Sequence, residues 1–221
     1  MRKLFPLALI AAVIMWACGG KPSNEAESTP APVYSGNTAM GVTHKVTDYA
    51  TWLKSYMAKS DSNARISLYV SPEDPNLVTV FLLTVSTEDA KKMAGSEDLK
   101  KAMQEGGVIS EPVFRYFEFK FRNMDKSAKQ YRVLVSHEVA DYDAWKKVFD
   151  ADEARRTEAG LELRAISTDA DNAKMVNMMF ATDDPEKTKA MMGSDDLKAR
   201  MKEGGVTSEP TVTVMMVPPA M

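Results

Sequence analysis

The sequence predicts an α+β fold made of two tandem β-α-β-β-α-β units, and three observations carry that prediction. First, an eighteen-residue phrase occurs twice: GSEDLKKAMQEGGVISEP at 95–112 and GSDDLKARMKEGGVTSEP at 193–210, identical at thirteen positions. A run of that length does not recur by composition, so the chain reads as two copies of one unit. Second, each copy opens on the pattern H-x-V-x-D-Y-x-x-W, at His44 and again at His137. Third, between opening and closing phrase the apolar period switches from two to 3.6 and back in the same order both times.

Taken in order, Met1 to Lys3 is a short basic start, and Leu4 to Trp16 is almost wholly apolar. Thirteen helical residues rise about 20 Å at 1.5 Å each, short of the roughly 30 Å hydrocarbon core of a bilayer. Residues 1–18 therefore read as a secretory signal rather than a membrane span. Their ending, Ala17-Cys18-Gly19, resembles a bacterial lipoprotein signal, in which Cys18 becomes the lipidated N-terminus. The resemblance implies an envelope protein held to a membrane by that anchor. Gly19, where inner-membrane retention is associated with Asp, favours the outer membrane. Residues 19–40 are rich in Gly, Pro, Ser and Thr without an apolar period, and read as a flexible tether.

The two units are expected at 41–122 and 131–218, joined by a polar connector at 123–130. In each, a strand of period two (Val42 to Val46; Tyr131 to Val139) leads to an N-capping carboxylate, Asp48 or Asp141. The helices that follow bury Tyr49, Trp52 and Tyr56, or Tyr142, Trp145 and Phe149, spaced three then four along one face. Two strands come next, near 65–71 and 77–85, then near 161–167 and 174–182, with turns rich in Pro, Asp and Asn. A helix begins at Thr87, or after Asp184 with Pro185 in its first position. Gly95 and Gly193 stop these helices and suit left-handed caps. Ser96 and Ser194 cap a further short helix ended by Gly106 or Gly204, and the last strands run near 113–121 and 211–217. The opening patterns lie 93 residues apart and the closing phrases 98, so the second copy is longer by five residues (98 − 93 = 5), around 151–162. This order of elements is the ferredoxin-like arrangement.

With H-x-V-x-D-Y-x-x-W opening each copy and S-x-D-L-K-x-x-M-x-x-x-G-V closing it, each unit resembles the dimeric α/β-barrel superfamily. The resemblance is to its small ABM-like (antibiotic biosynthesis monooxygenase-like) proteins. It implies that the two units pair their sheets into one barrel, an intramolecular pseudo-dimer that is monomeric as a chain. The superfamily includes cofactor-independent monooxygenases, haem-degrading and chlorite-converting enzymes, isomerases and members without known activity. Its ligands, where known in the monooxygenases and haem-degrading enzymes, lie between the outer face of the sheet and the helices.

That points to His44 and His137, which share a strand face with the valines beneath the helices. An imidazole beside an indole can exchange a proton or hold a ligand; equally, it can be a buried histidine bonded to a backbone carbonyl. Tyr49, Trp52, Tyr142 and Trp145 can line an aromatic pocket or simply form core. Lys45 and Glu138, on the opposite strand face, are expected to approach each other inside the barrel. The chain has 16 Met, clustered in the second copy at positions that the first fills with Leu, Val and Phe, as gap-filling core. Soft copper ligation is the alternative reading of those thioethers.

Composition excludes several functions. A net charge of -3 lacks the basic excess that holds nucleic acid. One Cys rules out an intramolecular disulfide framework or Cys-clustered zinc. No phosphate-binding glycine loop or Ser-His-Asp order stands out, and no cofactor or metal is expected. The reading is an envelope lipoprotein that binds a small apolar or aromatic molecule or serves a non-enzymatic role. A cofactor-independent monooxygenase-like enzyme is the alternative, and a haem-binding protein comes third.

Overall fold

A computed structural model describes residue 34 and residues 36–218. The expected signal, Cys18 and most of the tether lie outside the described residues. The first half of the body contains β1 (Thr38–Lys45), α1 (Tyr49–Lys59), β2 (Arg65–Val70), β3 (Leu77–Leu83), α2 (Thr87–Ala94), α3 (Glu97–Glu105) and β4 (Val113–Arg122). The second contains β5 (Tyr131–Glu138), α4 (Tyr142–Ala151), α5 (Glu153–Glu158), β6 (Glu162–Asp169), β7 (Asn172–Thr182), α6 (Pro185–Met192), α7 (Asp195–Glu203) and β8 (Thr211–Met216). The order recurs apart from α5, which occupies the five-residue insertion. β1 starts at Thr38, inside the stretch expected to be tether, because Thr38 to Thr43 pair with β4.

The helices start where short polar side chains take up free N–H groups. The Asp48 and Asp141 carboxylates accept from the backbone N–H of Thr51 and Ala144, both at 2.8 Å. Ser96 and Ser194 do the same for Leu99 and Leu197. The left-handed caps are one element later than expected. Gly95 and Gly193 have φ of -86° and -80°, ordinary right-handed values. Gly107 and Gly205, at +81° and +72°, hold the left-handed positions instead. There the Val108 N–H reaches the Met103 carbonyl and the Gly107 N–H that of Gln104, with Val206–Met201 and Gly205–Lys202 matching them. Both ends are Schellman motifs.

The strands form a closed barrel in the order β1-β3-β2-β8-β5-β7-β6-β4. Each half contributes four consecutive strands, and the halves meet at two seams, β4–β6 and β2–β8. The seams are unequal: β4 and β6 pair from Phe117↔Asp169 to Arg122↔Ala165, whereas β2 and β8 share the pair Val70↔Met216.

Alternation divides the apolar residues into three cores. Val42, Val46, Trp52, Val78 and Val80 pack beneath the first half's helices, and Val133, Val135, Trp145, Val176 and Phe180 beneath the second's. A Trp buries about 150–250 Å², so at about 25 cal/mol per Å² each indole contributes about 4–6 kcal/mol of burial. The third core, Ala39, Phe81, Phe117 and Met215, lies on the inner face of the barrel and draws on both halves. Gly41 makes room for it, since a Cβ there would lie 2.9 Å from the Phe117 ring and 3.1 Å from Phe81. The equivalent position in the second half is Leu134, which stands opposite the slimmer Met179 and shares this core with Met215. Of the methionines expected as core in the second half, Met178 and Met215 are buried, and Met179, Met191, Met192 and Met216 pack partly buried against the cores.

Lys45 and Glu138 do not meet. They end strands on opposite sides of the barrel, and each is satisfied within its own half. Lys45 pairs with Asp74 at 2.7 Å, and Glu138 accepts from Asn172 Nδ2 at 2.7 Å. The polar contact inside the barrel is built from other residues: Arg115 reaches Asp169 at 3.0 Å and Asn177 at 2.7 Å, and the Ser136 hydroxyl donates to the Asn177 side-chain oxygen at 2.6 Å.

Candidate functional site

His137 stands on the outer face of β5, one residue before the strand ends, and is 4% exposed. Asp141 then caps α4 and sets its first turn, so that Trp145 lies over the strand. The imidazole meets the indole edge to face, with centroids 5.9 Å apart and planes at 71°. Trp145 stacks on Phe149 at 4.9 Å, and the Arg156 guanidinium of α5 caps Phe149 at 3.6 Å. The first half repeats this: His44 lies 5.5 Å from Trp52 at 65°, and Trp52 stacks on Tyr56 at 5.0 Å.

Neither nitrogen of His44 or His137 has a hydrogen-bond partner among the described residues. The expectation that a buried histidine would hold a backbone carbonyl is therefore not met. The strands that carry them are paired on both sides, and each imidazole meets an indole edge to face. Burial pulls both imidazoles down to about 4, so each is neutral near pH 7. A neutral imidazole carries one donor and one acceptor, and here both are free for a molecule that enters.

In the second half such a molecule has a place. A cavity of about 80 Å³ separates β5 and β7 from α4–α7. His137 and Trp145 line it together with Phe149, Phe180, Met191 and Met192, while Arg156, Asp152 and Arg200 stand among its polar lining. Asp152 lies 3.4 Å from Arg155 and 3.3 Å from Arg200, tying α5 to α7. The structure thus brings His137 and Trp145 into one cavity. Tyr142 packs 5.6 Å from Trp145 without lining it, and His44, Trp52 and Tyr49 form the equivalent cluster in the first half. The residues that sequence reasoning missed are Arg156 and the methionines as cavity wall. The five-residue insertion was the available signal for Arg156, because extra chain in one copy alone lands beside that copy's pocket.

A haem does not fit this site. A cavity of about 80 Å³ holds a few water-sized groups, not a porphyrin. Among the described residues, no three His, Cys, Asp or Glu side chains cluster to hold a metal ion.

No family model matches the sequence, and no curated protein does. Solved structures do match in fold. An anthrone oxidase-like protein superposes with a TM-score of 0.54 at 13% identity, covering 83% of this chain and 92% of that one. A ferredoxin-fold protein from Listeria monocytogenes, related to antibiotic biosynthesis monooxygenases, gives 0.50 at 9% identity, covering 85% and 98%. A monooxygenase-like protein from Listeria innocua gives 0.50 at 9%, covering 84% and 96%. At such identities the likeness establishes the α+β, ferredoxin-like fold.

Proposed function

We propose that this chain is a lipid-anchored envelope protein whose body is an internal pseudo-dimer of two ferredoxin-like units, and that it binds a small apolar or aromatic molecule beneath α4–α7. One observation carries the binding reading: His137, with both nitrogens unpartnered, faces an apolar cavity beside Trp145. Leaving a buried polar group unsatisfied costs about 1–3 kcal/mol, and a ligand with one hydroxyl or N–H offsets that cost. A dry cavity of about 150 Å³ takes up benzene. The cavity here is about half as large, so an aromatic ring enters as Met191 and Met192 turn aside, which their unbranched side chains permit.

The experiment is a calorimetric titration of the full-length chain with indole and with phenol. Saturable binding is expected, weakened about tenfold by His137→Leu, which removes one hydrogen bond to the ligand, and abolished by the cavity-filling Met192→Trp. Absence of saturation, or indifference to both substitutions, sinks the reading. For the anchor, an alkyne-tagged fatty acid fed to expressing cells should label the wild-type protein and not Cys18→Ser.

A second reading, a cofactor-independent oxygenase, is favoured by the neutral imidazole and by the likeness to monooxygenase-related structures. His137 would take a proton from an activated CH₂ group, and dioxygen would oxidise the carbanion to a ketone with release of water. Oxygen consumption that depends on His137, with a single-ring ketone such as phenylacetone that carries an activated CH₂ group, distinguishes catalysis from binding alone.

A further inference from the structure

The barrel has an interior cavity distinct from the pocket beneath the helices. It measures about 570 Å³, within the range of about 300–1,000 Å³ typical of small-molecule sites. Its wall is apolar and aromatic where Tyr69, Phe81, Phe117, Phe119, Leu134 and Met179 face inward. Its charge is one-sided. Five cationic residues line it (Arg65, Arg122, Lys126, Arg132 and Arg164) against one carboxylate, Asp125, an excess of four (5 − 1 = 4).

The arginines are not equally occupied. Arg164 pairs with Glu162 and donates to the Asn123 and Asp125 carbonyls, which straps the connector to β6. Arg132 is 7% exposed, yet its guanidinium donates from Nη1 to two backbone carbonyls, of Lys129 at 2.7 Å and Tyr131 at 3.0 Å. Arg122 donates to the Gly36 carbonyl at 3.1 Å. Among the described residues neither Arg122 nor Arg132 has a carboxylate within ion-pair distance. Each lies over an aromatic ring of the cavity, Arg122 over Phe119 at 4.8 Å and Arg132 over Tyr69 at 5.8 Å. Burial pulls Arg122 below its ordinary pKa. Glu162 acts on Arg132 electrostatically without reaching ion-pair distance. A guanidinium drawn out of water is costly without a counter-charge in contact, and an anion that enters the cavity supplies that contact to both.

We infer that the barrel interior binds an amphipathic organic anion. Its acid group neutralises Arg122 and Arg132, and its aromatic or aliphatic body lies on Tyr69, Phe81 and Phe119. Arginine is suited to this, because its planar fork matches a carboxylate with two parallel hydrogen bonds. The apolar wall selects against small inorganic anions, which would leave it wet. The connector residues Asn123 to Ser127, held by Arg164 and by the bond from Ser127 to Glu162 at 2.7 Å, lie along this cavity and link the two halves beside the acid group.

The test uses the full-length chain with 2-naphthoate and its neutral isostere 2-naphthamide. Naphthoate should bind at least about tenfold more tightly, as a charge-assisted pair requires. Arg122→Gln and Arg132→Gln should each weaken naphthoate by about tenfold and leave the amide within about twofold. Methionine-methyl NMR on the unmutated protein locates the ligand, so the inference does not depend on a variant that fails to fold. Met124 and Met179 line the barrel cavity, whereas Met178, Met191 and Met192 line the outer pocket. Shifts at Met124 and Met179 support the inference. Shifts confined to the outer-pocket methionines, equal affinity for acid and amide, or no saturable binding overturn it. None of these outcomes depends on whether indole binds beside His137, so the two sites stand or fall separately.

Discussion

His44 and His137 are 3% and 4% exposed, and desolvation is the one cause that lowers each to about 4. An unfolded histidine binds its proton near pH 6.5, so between about 4 and 6.5 the unfolded chain holds more protons than the folded one. Stability therefore rises with pH across that window. It is fully present above 6.5 and is lost as pH falls toward 4, by up to about 3 kcal/mol per histidine. The lowered carboxylates, among them Asp74 beside Lys45 and Glu162 beside Ser127 and Arg164, lose their contribution as pH falls through and below their unfolded values of 3.8 and 4.5, so they overlap this window only at its acid end. Urea unfolding at pH 7 and pH 5 should show wild type losing most of this increment, and His44→Leu with His137→Leu losing little. Leu is close in volume and needs no hydrogen bond, so at pH 7 His44→Leu should be neutral or stabilising by about 1 kcal/mol. Equal losses in wild type and double variant would show that the imidazoles are not the titrating groups. Their strand face was legible in the sequence, because alternation places them with Val42 and Val135. That both nitrogens lack partners was not, since it depends on which carbonyls the sheet consumes.

At the scale of elements, glycines that end helices divide into two classes that look alike in sequence. Gly95 and Gly193 are followed at once by a serine cap, and the chain turns into the next helix with right-handed φ values. Their backbone N–H groups still bond back to Lys91 and Lys189 at 3.1 Å. Gly107 and Gly205 come second in a Gly-Gly pair and take the left-handed turn that delivers Val108 and Val206 to bridges with Val46 and Val139. An L-residue pays about 1–2 kcal/mol for that conformation. Gly107→Ala and Gly205→Ala should accordingly lower unfolding free energy by about 1 kcal/mol each. Gly95→Ala and Gly193→Ala should leave it unchanged or raise it by about 0.4–1 kcal/mol, because a Cβ at either meets nothing closer than 3.6 Å. Thermal or chemical denaturation of the four variants checks this, and similar effects at all four positions would refute the assignment. N-caps, strand positions and helix faces were legible because each rests on chemistry within four residues. The fate of the five-residue insertion was not: that it forms α5 and places Arg156 on Phe149 follows from packing against a helix that arrives later in the chain.

In the whole molecule the barrel is closed by two seams of unequal length, and the inequality has a consequence for how it opens. The alternating strands of each half could be read locally, but their closure entered through resemblance, and the expected Lys45–Glu138 contact failed because closure sets those strand ends apart. What joins the halves is the interior core, where Gly41 yields to Phe81 and Phe117 while Met179 and Met215 oppose them, and the Arg115–Asp169–Asn177 network beside it. Along β4–β6 the ladder runs from Phe117 to Arg122, whereas β2–β8 pairs at Val70 and Met216. A seam with fewer ladder bonds separates at lower free energy, and exchange of backbone amides reports that local opening. The seam-facing amides of β2 should therefore exchange faster than those of β6, and through an opening smaller than global unfolding. The barrel cavity borders this seam, since Arg65, Ser67 and Tyr69 of β2 line it. A ligand bound there stabilises the closed form alone, by an amount set by its concentration relative to its dissociation constant. Saturating 2-naphthoate should thus slow exchange along β2 while leaving β3, which is paired on both sides, nearly unchanged. Equal protection at the two seams without ligand would mean that closure is uniform and that the short ladder is not the weak point.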